Sequence, residues 1–177
     1  MTGEVIILTG PPGAGKTTVA GLLAADADRP AVHLVTDQFY RAIRTGFVLP
    51  FLPEAHRQNE VVVGAITAAV AAFARGGYDV VVDGIVGPWF LAPFRELVGE
   101  LAVSYVVLRP AVDVTVARAV GRSGEELRDV EAVAGMHAAF ADLGDLEGHV
   151  IDSGHLDTAQ TAAEVRRVLA AGSHRLT

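Results

Sequence analysis

The chain has 177 residues, 51% of them hydrophobic, a net charge of −7 and no cysteine. That length predicts one domain, residues 1–177, with room for a sheet covered by helices on both faces but not for a two-domain machine. Disulfides and thiol catalysis are excluded, no apolar run approaches the roughly 18 residues that cross a bilayer, and no arginine cluster forms a stripe for a nucleic-acid backbone. The expectation is a soluble protein with neither a membrane nor a nucleic-acid partner.

Glu4 stands where a signal peptide would carry positive charge, so secretion is not expected. Val5-Ile6-Ile7-Leu8 is a short unbroken apolar run, the mark of a strand buried on both faces, here residues 4–9. Gly10-Pro11-Pro12-Gly13-Ala14-Gly15-Lys16-Thr17 follows at once and fits G-x-x-x-x-G-K-[ST], the Walker A phosphate-binding loop. A helix is predicted over 15–26, because apolar residues from Thr17 and Thr18 onward recur at three and four positions. Strand, glycine loop and helix in that order form an anion site, since unpaired N–H groups and the positive end of the macrodipole meet there. Lys16 is the only lysine in the chain. It would reach the β- and γ-phosphates, and the Thr17 hydroxyl would ligate Mg²⁺.

Further strands are predicted over 31–36, 78–82, 103–108 and 148–151, and further helices near 54–75, 90–100, 111–121, 125–142 and 157–171. Alternating strands and helices predict a parallel, doubly wound α/β sheet. Ligands of such sheets bind outside the carboxyl ends of the strands, which makes the polar residues there the candidates. Asp37 follows the second strand, as a carboxylate able to take a proton from an acceptor hydroxyl or as a cap of the next turn. Asp83 ends the third strand, as a magnesium-holding acid with Gly84 leaving space for a phosphate, or as half of an Asp-Gly turn. His33 lies inside a strand and reads as a satisfied core histidine.

Arg57, near the start of the 54–75 helix, would meet an acceptor or its phosphorylated product, or else pair with Glu54 or Glu60. Arg118 and Arg122 are four residues apart on one helix face, and Gly121 to Gly124 makes a flexible break. A short lid near 119–130 carrying these arginines over the γ-phosphate would neutralise charge on the transferring group; Arg128 sits deeper in the next helix. The alternative is a solvated face pairing with Glu125, Glu126 and Asp129. Seven of the eleven aromatics follow the second and third strands: Phe39, Tyr40, Phe47, Phe51, Trp89, Phe90 and Phe94. They either line an acceptor pocket or fill the core beneath the helices.

With the loop, Asp37, Asp83 and the arginine pair in place, the chain resembles the small P-loop kinases that phosphorylate metabolites, notably the chloramphenicol phosphotransferase-like group. Shikimate and gluconate kinases and zeta toxins are more distant. The resemblance runs from Val5 to Ser153 and implies a three-layer P-loop NTPase fold, with a five-stranded parallel sheet in the order 2-3-1-4-5. It also implies Asp37 as the catalytic aspartate and Arg118 and Arg122 as the lid. Two positions depart from the pattern. Phe39 replaces the second acid of the shikimate kinases, and Gln38 replaces the small hydroxyl residue that follows the aspartate in chloramphenicol phosphotransferase.

The sequence therefore predicts a cytoplasmic, ATP- or GTP-using, Mg²⁺-dependent kinase. Its acceptor would be a hydroxyl of a small molecule, antibiotic-like or aromatic, held among Asp37, Phe39, Tyr40, Arg57, Asp83 and Trp89. A nucleotide-sugar kinase like the zeta toxins and a slowly hydrolysing ATP switch are the alternatives. Nothing in the sequence sets an oligomeric state.

Overall fold

The structure, a computed structural model, describes residues 1–115 and 130–177. Arg118, Arg122, Arg128 and most of the expected lid lie outside the described residues. In chain order the elements are β1 (Glu4–Thr9), α1 (Lys16–Ala25), β2 (Ala31–Val35), α2 (Thr36–Arg41), α3 (His56–Arg75), β3 (Asp79–Asp83), α4 (Ala92–Arg95), β4 (Ala102–Leu108), a helical turn at residues 112–115 (α5), α6 (Val130–Ala138), β5 (Val150–Ile151) and α7 (Thr158–Ala171). The sheet is parallel and ordered β2-β3-β1-β4-β5, as the resemblance implied.

Alternation along the buried strands divides the core in two. Val5, Ile7, Val80, Val82, Val103, Tyr105 and Val107 face one side, where α3 packs Val62, Val63, Ile66 and Val70 against them. Leu8, Val81, Val106, Leu108 and Ile151 face the other, beneath Val19, Ala20 and Leu23 of α1 and Ala162, Val165 and Val168 of α7. Each such side chain contributes roughly 1.5–3 kcal/mol on leaving water, so the sheet is held from both faces and its carboxyl edge is a rigid platform.

Three expectations need correction. The helix expected over 90–100 is only a 3₁₀ turn at Pro88–Phe90 and the four residues of α4. Pro88 and Pro93 each supply no N–H, and Gly99 takes a positive φ of 101°, so no long ladder forms there. A helix not expected, α2, starts directly from the last residue of β2. The fifth strand is two residues long, because Gly144–His149 is 3₁₀ rather than extended. The C-terminal tail covers the rest of that side of β4 instead, pairing antiparallel at Ser104 and Arg175, with Tyr105 N donating to His174 O at 2.8 Å and Leu176 N to Val103 O at 2.9 Å.

Candidate active site

Between β1 and α1 the chain turns through a loop that only glycine permits. Gly10 has φ 141°, and a Cβ there would run into the carbonyl oxygen of Leu108, so the loop leaves β1 pressed against the end of β4. Gly13 and Gly15 take φ 84° and 87°, and Ala14 N donates to Pro11 O at 3.2 Å to close the turn. Gly15 caps α1 without any side-chain bond, and no acidic residue lies in the first turn. The N-terminal N–H groups and positive dipole end of α1 are therefore uncancelled by local carboxylates.

Lys16 is buried and folds back over the loop, its Nζ donating to Pro11 O at 2.8 Å. One of the three ammonium donors is accounted for in this way. Thr17 and Thr18 are exposed on the first turn. Beside them opens a hollow of about 350 Å³, lined by Gly13, Ala14, Gly15, Thr18 and Val19 on one side and by Leu156, Asp157, Thr158 and Thr161 on the other. The sequence reading missed this second wall, although the rule that ligands sit beyond strand ends extends to β5. Asp157 is occupied there in a capping box with Gln160, which fixes the start of α7.

Asp83 closes β3 and sits beside Leu8 of β1 and Val35 of β2. Two residues beyond Val81, it projects onto the sheet face that carries α1, the helix whose first turn holds Lys16 and Thr17. It is 2% exposed, and Nε2 of His33 lies 3.1 Å from its Oδ2. His33 is thus partnered, as expected of a satisfied histidine, and the partner is the carboxylate that ends the neighbouring strand. The space beside Gly84 is not free for a phosphate: a Cβ there would overlap the Thr36 side chain, so the glycine serves the close approach of α2.

Thr36 is buried and Asp37, next to it in the first turn of α2, is exposed. Because Val35 pairs with Asp83, the two aspartates lie on adjoining strand ends. Burial and the nearby Asp37 charge raise the pKa of the Tyr40 phenol, which keeps it neutral. The segment after β3 is clamped at Val86, whose N–H donates to Thr9 Oγ1 at 2.8 Å and whose carbonyl accepts from Tyr105 OH at 2.8 Å. The segment before α3 is clamped by Gln58, which exchanges two bonds with the Val48 backbone at 2.8 and 2.7 Å, and by Asn59 on Pro50 O at 2.8 Å.

The aromatics separate by burial. Phe94 is core, and Phe39, Tyr40 and Phe90 pack half-buried against it. Phe47, Phe51 and Trp89 are exposed, with Trp89 standing edge-on to Phe140 at 5.6 Å. Arg57 is not brought to the site: its side chain is 83% exposed and pairs with Glu60 at 3.4 Å. That arrangement is the Glu60 pairing the i, i+3 spacing allowed.

The loop, the buried lysine, Asp83 at the end of β3 and Asp37 just beyond β2 make up the candidate site. The chain matches the chloramphenicol phosphotransferase-like protein family over residues 3–170. It belongs to that family. Its fold is also similar to that of the tunicamycin resistance protein of Deinococcus radiodurans, with 20% identity, 99% of each chain covered and a TM-score of 0.68. A sugar kinase from Janibacter sp. HTCC2649 is similar at 17% identity, covering 95% of this chain and 93% of that one, TM-score 0.65. A gluconokinase from Sinorhizobium meliloti 1021 is similar at 20% identity, covering 96% and 91%, TM-score 0.63. No curated protein sequence matches significantly. Family and fold together support a P-loop phosphotransferase.

Among the described residues no group of three or more His, Cys, Asp or Glu side chains forms a metal cage. A Mg²⁺ ion requires no such cage, since it keeps its waters and is held by one or two protein oxygens together with substrate phosphates. Thr17, on α1, and Asp83, on the sheet face that α1 covers, are the oxygens that would hold such an ion. No helix among the described residues is long and apolar enough to cross a membrane.

Proposed function

We propose that this protein transfers the γ-phosphoryl group of ATP, or of GTP, to a hydroxyl of a small organic molecule. The observation that carries the reading is that Lys16 follows β1, Asp83 ends β3 and Asp37 follows β2, three adjacent strands of the sheet, beside a loop whose glycines take positive φ. Gly10 through Thr18 hold the phosphates, with Lys16 swinging from Pro11 O onto the β- and γ-oxygens. Thr17 and Asp83 would hold magnesium, which when bound would neutralise charge on the phosphates. Asp37 accepts the acceptor's hydroxyl proton as its oxygen bonds to the γ-phosphorus and the bond from that phosphorus to the ADP oxygen breaks. Arg118 and Arg122 would close over the transferring group.

Phe39 and Tyr40 follow Asp37 in α2 and Trp89 lies in the segment after Asp83, and such side chains suit an acceptor with an apolar or aromatic body. The structural likeness to a protein named for tunicamycin resistance favours an antibiotic-like alcohol. The need for ATP favours a cytoplasmic location. A panel of alcohols, antibiotics and nucleotide sugars, screened for acceptor-dependent ADP formation, identifies the acceptor. With it in hand, Asp37→Asn lowers kcat by about 10²–10⁴-fold and leaves nucleotide affinity nearly intact. Unchanged turnover in that variant removes Asp37 from the mechanism.

A further inference from the structure

We infer that His33 is a positioning residue for the magnesium-binding carboxylate, an inference that rests on the proposed role of Asp83. His33 is the register partner of Val81, so it lies on the α1 face of the sheet, one strand over and two residues before the level of Asp83. From there its Nε2 reaches Asp83 Oδ2 at 3.1 Å. A carboxylate only accepts, so this bond requires the proton on Nε2. The neighbours of His33 in β2 are Val32, Leu34 and Val35, and an imidazole at this position of an edge strand needs a reason beyond packing.

The reason lies in what the carboxylate has to do. Asp83 is 2% exposed, and a buried carboxylate without hydrogen bonds is costly. A magnesium ion has strict demands on angle and distance, so an acid holding it must not rotate. A donor on Oδ2 fixes the plane of the carboxylate and would leave the other oxygen for the metal, as donors behind metal ligands generally do. His33 therefore acts on the metal through Asp83 and itself touches neither nucleotide nor acceptor.

The test compares ADP affinity with and without Mg²⁺, by calorimetry, in the wild type, His33→Leu, His33→Gln and Asp83→Asn, with thermal melts alongside. Positioning predicts that His33→Leu cuts the magnesium enhancement of ADP binding by roughly tenfold, within the range for lost partners of metal ligands, and leaves metal-free ADP affinity unchanged. His33→Gln, whose amide N–H reaches a similar point, restores most of it. If His33→Leu does not fold, His33→Asn, too short to reach Oδ2, is expected to show the same loss. A lowered Tm with the enhancement intact means that His33 only satisfies a buried charge, and overturns the inference. Loss in Asp83→Asn with none in the His33 variants overturns it too but leaves the role of Asp83 standing, whereas retention in Asp83→Asn removes both.

Discussion

Tyr105→Phe tests how the segment after β3 is held. Tyr105 is fully buried and its hydroxyl donates to Val86 O at 2.8 Å, so the variant keeps the ring and leaves a buried carbonyl without its donor. Orphaning such a group costs about 1–3 kcal/mol. At about 2–4 °C per kcal/mol for a chain of this size, Tm at pH 7 falls by roughly 2–12 °C. Thr9→Val orphans the N–H of the same residue and costs a similar amount. The double variant should lose less than the sum, because a released Val86 can turn both groups to water.

The pH dependence supplies a second check. Burial pushes the Tyr105 phenol well above its ordinary value. A raised folded pKa gives stability that is fully present below the unfolded value of about 10 and is lost as pH rises toward the folded one. Calorimetric melts from pH 7 to 11 should therefore show the gap between wild type and Tyr105→Phe narrowing above about pH 10. A Tm within a degree of wild type at pH 7, or a gap that stays constant to pH 11, refutes the reasoning. Because Val86 lies between Asp83 and Trp89, the variant should also raise the acceptor KM more than the nucleotide KM.

Gly84→Ala places a methyl group on the Thr36 side chain, at an overpacking cost of about 1–3 kcal/mol. Thr36 precedes Asp37, so kcat should fall further than ADP affinity, and equal losses in both would separate Gly84 from the placement of Asp37. Hydrogen bonds from Arg109 and from the Leu143 N–H, with the Arg109 charge adding to them, hold Glu147 down to a pKa of about 2. A depressed folded pKa gives stability present above the unfolded value of 4.5 and lost as pH falls toward 2. The Tm advantage of wild type over Glu147→Gln should shrink across that window, and NMR titration of the Glu147 carboxyl checks the midpoint directly.

What the sequence disclosed is what neighbouring residues decide together. The run Val5 to Leu8, the glycines and Lys16-Thr17 are contiguous, and a phosphate cradle is built from successive backbone N–H groups, so motif and site coincide. Asp83 was legible for the same reason, since the end of an apolar run marks the edge of the sheet. The partner of His33 was not legible, because it lies 50 residues away and meets it only through the β2–β3 register. Likewise Phe94 and Trp89 look equivalent in sequence, and only the 3₁₀ turn and short helix around them send one into the core and the other to the surface.

This difference in how the two halves are encoded bears on acceptor choice. The phosphate half depends on backbone conformation inside one octapeptide, where the Cβ of any other residue at Gly10 would strike Leu108. The acceptor half depends on segments attached by a few side chains. Val48 and Pro50 are tied down by Gln58 and Asn59, and Phe47 and Phe51 stand exposed on either side of those ties. Residues in that segment can change while the two clamps persist, without disturbing the loop after β1. A fold arranged this way can keep one phosphate donor and exchange acceptors, because the rigid platform of strand ends carries Asp83, leads directly into Asp37 and leaves the contacts to loops.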